Sequence, residues 1–310
     1  MEKTRILAIV ILALGLAAEV AKSDVTFGNP MNLGPTVNSV DAEYDPSISA
    51  DELELYFNSY RPGGLGQADL WVTTRKTKRD PWGMPVNLGP TVNSSAPDNA
   101  PCISADGLSL YFASGRSGGY GGRDLWVTMR KSKSDPWNNP TNLGPTVNSQ
   151  CDEHGPYVST DGLSLYFSEY PDESERPGGS GKSDIWVTTR KTIATPWGKP
   201  VNLGPTVNSP TWDESPSISS DGLSLYFNSY RAGVLGTGED SDIWVTMRKT
   251  KDEPWGTPVN LGPPVNSPGW EANPDLSRDG SILYFVSIRP GGSGDTDLWQ
   301  VSLAKNGTKE

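Results

Sequence analysis

Apolar and polar residues alternate along short segments of this chain. In "LSLYFAS" (108–114), two leucines and a phenylalanine occupy alternate positions, with a serine and a tyrosine between them. The segment "DLWVTMR" (124–130) alternates in the same way. A period of two is typical of a β-strand whose two faces meet different surroundings. Turn residues such as Ala105-Asp106-Gly107 separate these segments, so the pattern predicts short antiparallel strands and no helices.

The same unit recurs along the chain. The segment "NLGPTVNS" begins at Asn32, Asn87, Asn142 and Asn202, and returns as "NLGPPVNS" at Asn260, with spacings of 55, 55, 60 and 58 residues. Each unit contains a short β-prone stretch, an alternating segment, a glycine-rich loop, a second alternating segment and a short proline-bounded strand. Four strands at this period indicate a propeller blade.

The two ends of the chain predict how the ring closes. The fifth unit stops after its third strand (297–303), and the missing fourth strand stands at the other end as "GNPMNLG" (28–34). We therefore expect an all-β, five-bladed propeller with four antiparallel strands per blade, in which the N-terminal strand completes the last blade. It forms one domain over 24–303, followed by a polar tail, 304–310. The expected blades are approximately 35–90, 91–145, 146–205, 206–263, and 264–303 together with 28–34.

Aromatic residues follow the repeat. Nine of the eleven tryptophans occupy repeat positions, and the expected role of these nine is to fill the layers between blades. They are Trp71, Trp126, Trp186, Trp244 and Trp299 on the third strand, and Trp82, Trp137, Trp197 and Trp255 before the fourth.

Two segments carry a resemblance to a known family. "PSISSDGLSLYF" (216–227) resembles the WD40-like repeat of TolB-type propellers, and "FNSYRPGGLGQADLW" (57–71) is similar to the variant found in exported bacterial proteins, often joined to OmpA-like domains. The resemblance covers about residues 28–303. The proline usual in this motif is replaced by Ala50, Ala105, Thr160, Ser220 and Arg278. The resemblance implies a propeller fold, but it does not identify the partners.

The first residues have the features of a signal peptide. Lys3 and Arg5 precede an apolar run, 6–18, which is too short to span a bilayer comfortably. We expect a signal peptide over 1–23, cleaved after Ser23 or earlier, after Ala17 or Ala18. Its removal changes the formal net charge from −11 to −12. An acidic chain repels nucleic acid and anionic membranes. We therefore expect an exported, periplasmic or extracellular monomer without a transmembrane segment in the mature chain.

Cys102 and Cys151 are the only cysteines. Export would permit a disulfide between them, but they fall at different positions of neighbouring repeats. The sequence leaves open whether they pair or remain free thiols.

The glycine-rich loops, such as "RSGGYGGRD" (116–124), resemble phosphate-binding loops in composition only. A phosphate loop precedes a helix, whereas a strand follows here in all five repeats. We interpret these loops as hairpin connections whose base is clamped by an arginine and an aspartate. The expected clamp residues are Arg61, Asp69, Arg116, Asp124, Arg176, Asp184, Arg231, Asp242, Arg289 and Asp297.

A carboxylate stands three positions before the first-strand proline of every unit. These residues are Glu43, Asp98, Glu153, Asp213 and Glu271. One interpretation is a repeated pair with the loop arginines. The other is a ring around the mouth of the central channel that holds a basic ligand or a cation such as calcium, because crowded like charges require neutralisation. The sequence predicts no further cofactor and no other metal.

Departures from the repeat indicate where a ligand binds, because a repeated residue serves the fold first. Trp212 and Trp270 occur only in units four and five, and His154 is the only histidine. Unit three contains the insertion "PDESE" (171–175), and unit four carries Glu239 and Asp240. Aromatic groups beside carboxylates are typical of sugar and peptide sites. The alternatives are that the tryptophans plug the blade tops and that His154 is a solvated loop residue.

Three functions are compatible with these features. The favoured one is a non-catalytic exported propeller that binds a protein, peptide or glycan on this loop face. The second is a glycan-active hydrolase or lyase that uses carboxylates such as Glu153, Asp213 or Glu271. The third is a structural scaffold of the cell envelope. On the opposite face, basic loop residues such as Arg75 and Arg130 are expected to be solvated hairpin charges.

Overall fold

The predicted strands are present in a computed structural model, which describes residues 25–170, 176, 178–179, 181–233, 235 and 240–305. The expected signal peptide, the insertion 171–175, Glu239 and the tail from 306 lie outside the described residues. Within them, the chain forms strands β1 to β21 and no helix. None of this part of the chain could cross a membrane as a helix.

Four of the five sheets use consecutive strands in antiparallel order. Blade one contains β3 (Glu43–Ile48), β4 (Glu54–Ser59), β5 (Asp69–Thr74) and β6 (Val86–Asn87). Blade two contains β7 (Asp98–Ile103), β8 (Ser109–Ser114), β9 (Asp124–Met129) and β10 (Thr141–Asn142). Blade three contains β11 (Asp152–Val158), β12 (Ser164–Tyr170), β13 (Asp184–Thr189) and β14 (Val201–Asn202). Blade four contains β15 (Asp213–Ile218), β16 (Ser224–Ser229), β17 (Asp242–Met247) and β18 (Val259–Asn260).

Blade five joins the two ends of the chain. It contains β19 (Glu271–Leu276), β20 (Ile282–Ser287) and β21 (Asp297–Lys305), and β2 (Met31–Asn32) pairs with β21 through Met31 opposite Gln300 and Asn32 opposite Trp299. A further strand, β1 (Val25–Phe27), pairs with the last residues of β21, which continues to Lys305. The predicted five-bladed propeller and its four-stranded antiparallel blades are confirmed, and the N-terminal strand lies where closure requires it.

The first strands of the five blades surround the channel. Each of β3, β7, β11, β15 and β19 contacts the first strands on both sides, and β19 returns to β3. Five clusters of buried apolar side chains occupy the five spaces between neighbouring blades. Between blades one and two, for example, Tyr56 and Leu70 pack against Leu110 and Phe112. The five third-strand tryptophans are between 3 and 8 % exposed and pack in these clusters, as predicted.

Each first strand contains a bulge. The register shifts one residue after the repeat carboxylate, and the next residue has a φ between 50° and 57°. Most residues avoid this left-handed region, so only the surrounding sheet holds it in place. The bulged residues are Asp45, Ala100, Gly155, Ser215 and Asn273. Cys102 and Cys151 are both buried, and no disulfide joins them.

Candidate functional site

Hairpin loops between second and third strands meet the loops entering the first strands on one face of the ring, here called the mouth face. The five repeat carboxylates lie beneath it with side chains 0 % exposed, and each forms an ion pair with the arginine of its own blade. The N–O distances are 2.8 Å for Arg61–Glu43, 2.6 Å for Arg116–Asp98, and 3.1 Å for Arg176–Glu153 and Arg289–Glu271, while Arg231 pairs with Asp213.

Neighbouring groups fix this pair in the same way in most blades. Glu43 accepts hydrogen bonds from Ser39 and Ser59, and the Arg61 guanidinium lies over the rings of Phe57 and Trp71. These contacts match the interpretation of a repeated arginine–carboxylate pair. The five carboxyl groups are therefore buried and paired with arginines, and they are not exposed around the channel.

The loop aspartates close the glycine-rich hairpins. Asp69 accepts hydrogen bonds from the backbone N–H groups of Leu65 and Gly66, at 2.7 and 2.9 Å, and from the Asn87 amide at 2.8 Å. The same contacts recur at Asp124 and Asp297. Asp184 and Asp242 each accept from the asparagine of their blade. The backbone donors that a phosphate would need are thus already bonded to carboxylates.

Blade three departs from this scheme. Glu169 stands where the other blades have a serine, and it shares Arg176 with Glu153. Burial, and then repulsion from Glu169, raises the pKa of Glu153 above its ordinary value. One carboxyl oxygen of Glu153 is buried without a hydrogen-bond partner among the described residues.

Around the channel opening, the five blades carry different residues at the same repeat position. The residue after the paired carboxylate is Tyr44, Asn99, His154, Glu214 or Ala272, and the bulged residue that follows is Asp45, Ala100, Gly155, Ser215 or Asn273. The residue before the carboxylate is Ala42, Pro97, Asp152, Trp212 or Trp270. Since the paired residues repeat and these do not, the fold alone does not determine them.

Aromatic side chains form an arc along this opening, here called the aromatic arc: Tyr60, Tyr44, Trp270, Tyr230 and Trp212. The Tyr44 ring contacts the rings of Tyr60 and Trp270 edge-on, at 6.2 and 6.1 Å between centroids. Trp270 Nε1 donates a hydrogen bond of 2.8 Å to the Tyr230 hydroxyl, and the Tyr230 ring lies 5.3 Å from Trp212. Trp212 and Trp270, predicted as a platform, thus belong to one connected surface. Both are half-buried, and Trp270 also packs on the core.

Ionisable groups from four blades meet inside the arc. His154 Nε2 lies 4.0 Å from the Asp45 carboxylate, and the His154 ring contacts Tyr170 edge-on. Burial lowers the pKa of His154 to about 3 and raises that of Asp45 to about 7. His154 is therefore neutral, and it lies in strand β11 with a side chain 12 % exposed. The interpretation of a solvated loop residue is wrong, because the bulge turns this position towards the channel.

Glu214 and Arg123 complete this group. Burial raises the pKa of Glu214, which accepts hydrogen bonds from Tyr170 and Asn228. The Arg123 guanidinium lies 5.9 Å from the Tyr170 ring centroid and interacts electrostatically with both Asp45 and Glu214. Among the described residues, no three His, Cys, Asp or Glu side chains are grouped as metal ligands.

Sequence reasoning found the two tryptophans and the histidine of this group but missed most of the others. The missed residues are Tyr44, Asp45, Tyr60, Arg123, Asp152, Tyr170, Glu214 and Tyr230. A position-by-position comparison of the five repeats would have found them, since none of these positions is uniform. Even the three tyrosines Tyr60, Tyr170 and Tyr230 share their position with Gly115 and Ile288 in the other blades.

At its other end the channel is closed by Asp275 and Tyr157. Asp275 accepts a hydrogen bond of 2.5 Å from the Ile48 backbone N–H and bonds to the Tyr157 hydroxyl. These two residues also line a recess at that end, together with polar and aliphatic residues such as Ser47, Ile103 and Leu276.

The basic residues of the opposite face are not simply solvated. The guanidinium carbons of Arg75, Arg130, Arg190 and Arg248 lie 4.2 to 4.4 Å from the ring centroids of Trp82, Trp137, Trp197 and Trp255. The expectation of free hairpin charges is wrong for these four, because each covers the tryptophan of its own blade.

Comparison with known proteins extends no further than the fold. No family model and no curated protein matches the sequence. TolB from Acinetobacter baumannii superposes with a TM-score of 0.51 at 15 % identity, over 86 % of this chain and 55 % of that one, so this chain spans about half of its length. The α-L-arabinofuranosidase from Lactobacillus brevis gives 0.55 at 16 % identity, over 85 % and 91 % of the two chains.

The GH43_1 enzyme from Xanthomonas citri, complexed with xylotriose, gives a TM-score of 0.53 at 14 % identity, over 94 % and 98 % of the two chains. At these identities the likeness concerns the fold only. The resemblance to TolB-type propellers is supported at that level, and the chain shares its propeller fold both with TolB and with family-43 glycoside hydrolases.

Proposed function

We propose that this chain is an exported, monomeric binding protein that holds an oligosaccharide at the mouth of its channel without cleaving it. The main supporting observation is that the residues at positions that vary among the five repeats converge on this opening, while the residues at invariant positions are engaged in the fold. A sugar ring has apolar C–H faces and a polar edge of hydroxyl groups. The aromatic arc offers rings for the faces, and Asp45, Glu214 and Asn273 offer hydrogen-bonding groups for the edge.

The first test is binding by the mature chain, residues 24–310, to a panel of neutral and acidic oligosaccharides and short peptides, measured by thermal shift and calorimetry. Trp212→Ala and Tyr60→Ala remove opposite ends of the aromatic arc, and each should weaken oligosaccharide binding about tenfold or more. Tyr120→Ala removes another exposed tyrosine of the same face outside the arc and should leave the affinity unchanged. Binding of peptides alone, or of no member of the panel, would contradict the proposal.

A second candidate is glycan hydrolysis. Asp45 and Glu214 are carboxyl groups with raised pKa values beside Arg123, and glycosidases use a pair of carboxyl groups held in different environments. Asp45 and Glu214 are better candidates than the carboxylates that the sequence indicated, since Glu153, Asp213 and Glu271 are buried against arginines.

Product release distinguishes the two candidates. The binding proposal expects no released sugar in the panel experiment. Turnover that disappears in both Asp45→Asn and Glu214→Gln, while Glu271→Gln retains it, would replace the binding proposal by hydrolysis.

A further inference from the structure

Arg123 stands at a position where the fold requires no long side chain. The corresponding residues of the other blades are small and at most 5 % exposed: Ala68, Ser183, Ser241 and Thr296. In all five blades the backbone carbonyl at this position accepts a hydrogen bond from the paired carboxylate residue of the next blade, at 2.9 to 3.0 Å. The backbone therefore makes the same inter-blade contact whatever the side chain is, and four blades serve as internal controls for the fifth.

Asp152 holds the Arg123 side chain in one orientation. Its carboxylate accepts hydrogen bonds from the Arg123 backbone N–H at 2.9 Å and from Arg123 Nε at 3.2 Å. Asp152 is also specific to its blade, since the same position is Ala42, Pro97, Trp212 or Trp270 elsewhere.

The terminal nitrogens of Arg123 remain available. Among the described residues, neither Nη1 nor Nη2 donates a hydrogen bond, and the side chain is 36 % exposed. Because Nε is bonded to Asp152, the two Nη atoms form the remaining fork, which matches the two oxygens of a carboxylate. This fork is at the edge of the mouth, over the Tyr170 ring.

The surroundings of Arg123 differ from those of the structural arginines. Arg61 and its four counterparts each face a fully buried carboxylate of their own blade. Arg123 instead has a partly exposed aspartate behind it, and it lies within electrostatic range of Asp45 and Glu214 in the channel. Tyr60, at one end of the aromatic arc, also interacts electrostatically with Arg123, so a ligand bound at that end can extend to this guanidinium.

We propose that Arg123, oriented by Asp152, binds the carboxylate of an acidic sugar, so that the ligand of the channel mouth is an oligosaccharide that contains a uronic acid. This inference rests on the proposed oligosaccharide binding and specifies its chemical class. Arg123 is the specificity-determining residue, and Asp152 is a positioning residue.

The test measures the affinity of the mature chain for oligogalacturonates, alginate oligomers and glucuronoxylan fragments by calorimetry, each beside its methyl ester, with neutral oligosaccharides in parallel. The acid form of at least one pair should bind ten times more tightly than its ester, which corresponds to about 1.4 kcal/mol. Arg123→Ser installs the residue of blades three and four and should reduce the affinity for the acid to that for the ester. Arg79→Ser removes the same charge from the opposite face and should change neither affinity. Unchanged thermal unfolding of Arg123→Ser verifies its fold.

The outcomes separate the two proposals. If neutral oligosaccharides or esters bind as tightly as the acids, or if Arg123→Ser keeps the preference for the acid, the acidic ligand is wrong and oligosaccharide binding stands. If no oligosaccharide of any kind binds, both proposals are wrong.

Discussion

At the scale of single residues, the arginine–carboxylate pairs explain why some positions of the repeat have the same type of residue in all five blades. A carboxylate that is 0 % exposed is costly unless it is paired and hydrogen-bonded. In blade two, Asp98 accepts hydrogen bonds from Arg116, Ser94 and Ser114, and Arg116 is covered by the rings of Phe112 and Trp126. Substitution of either Arg116 or Asp98 would therefore leave the other buried charge without its partner.

Arg116→Met should therefore lower the free energy of unfolding by about 3–5 kcal/mol, because it leaves Asp98 buried and unpaired. The double variant Arg116→Met with Asp98→Asn should recover part of this loss, since it removes both charges. Urea titration followed by tryptophan fluorescence measures both. Arg79→Met, an exposed arginine, is the control and should change stability by less than about 0.5 kcal/mol. An equally small effect of Arg116→Met would contradict the role of the pair.

Glu169→Ser restores the repeat in blade three and should stabilise the protein at high pH. The pKa of Glu153 is raised by burial and by Glu169, so the stability contributed by its protonated form is present below the ordinary pKa of 4.5 and is lost as the pH rises through the raised value. Without Glu169, the pKa of Glu153 falls and the loss becomes smaller. Free energies of unfolding between pH 4 and 9 measure the effect. A parallel displacement of the whole profile would contradict this explanation.

At the scale of elements, blade five differs from the other blades in what covers its third strand. The other four third strands are followed by an arginine that stacks on a tryptophan, whereas β21 continues through Leu303 and pairs with β1. Phe27 lies opposite Leu303, and both pack on the core between blades four and five. In blade five, β1 thus takes the place of the arginine–tryptophan contact, and β2 takes the place of the fourth strand.

Removal of residues 24–34 should open the ring. Strand β21 would then lose both β1 and β2, and its unpaired edge would be available to another chain. We expect a lower melting temperature and concentration-dependent self-association, measured by calorimetry and by light scattering on a sizing column. Phe27→Ala keeps the backbone pairing and should lower the melting temperature less, without association. A truncated chain that melts like the intact one and stays monomeric would show that β1 and β2 do not close the ring.

At the scale of the whole molecule, side chains tie the five first strands together across the channel. Ser47, Cys102 and Ser217 each accept a hydrogen bond from the backbone N–H of the next blade's first strand, and Asp275 does the same for Ile48. Tyr157 bonds to Asp275 from blade three, so blades that are not neighbours in the ring are connected.

Asp275→Asn should make the protein more stable at pH 8 and leave it nearly unchanged at pH 4. Burial raises the pKa of Asp275 from 3.8 to about 7, so the wild-type protein loses stability as the pH rises through this range, by at most about 4 kcal/mol. The asparagine oxygen can still accept the Ile48 N–H bond, and the variant has no charge to bury. Unfolding free energies at both pH values check the sign. Lower stability of the variant at pH 8 would show that the ionised carboxylate supports the fold.

Sequence alone determined the features that are repeated. The four-stranded unit, its strand order and its third-strand tryptophan each recur five times, and a period in sequence becomes a period in space when similar units close a ring. The arginines and carboxylates recur as well, but their pairing was only one of two interpretations. The closing strand could be predicted from the number of strands per unit, because the last unit has only three strands and the fourth is found near the N-terminus.

Tertiary structure decided which unlike residues meet. The bulge at Asp45 and its counterparts interrupts the alternation, so the period-two pattern does not say which side chains turn into the channel. Closure then brings Asp45, Arg123 and Glu214 from blades one, two and four into one group. Residues so distant along the chain carry no shared local pattern, and only the packing of five blades around one axis places them together.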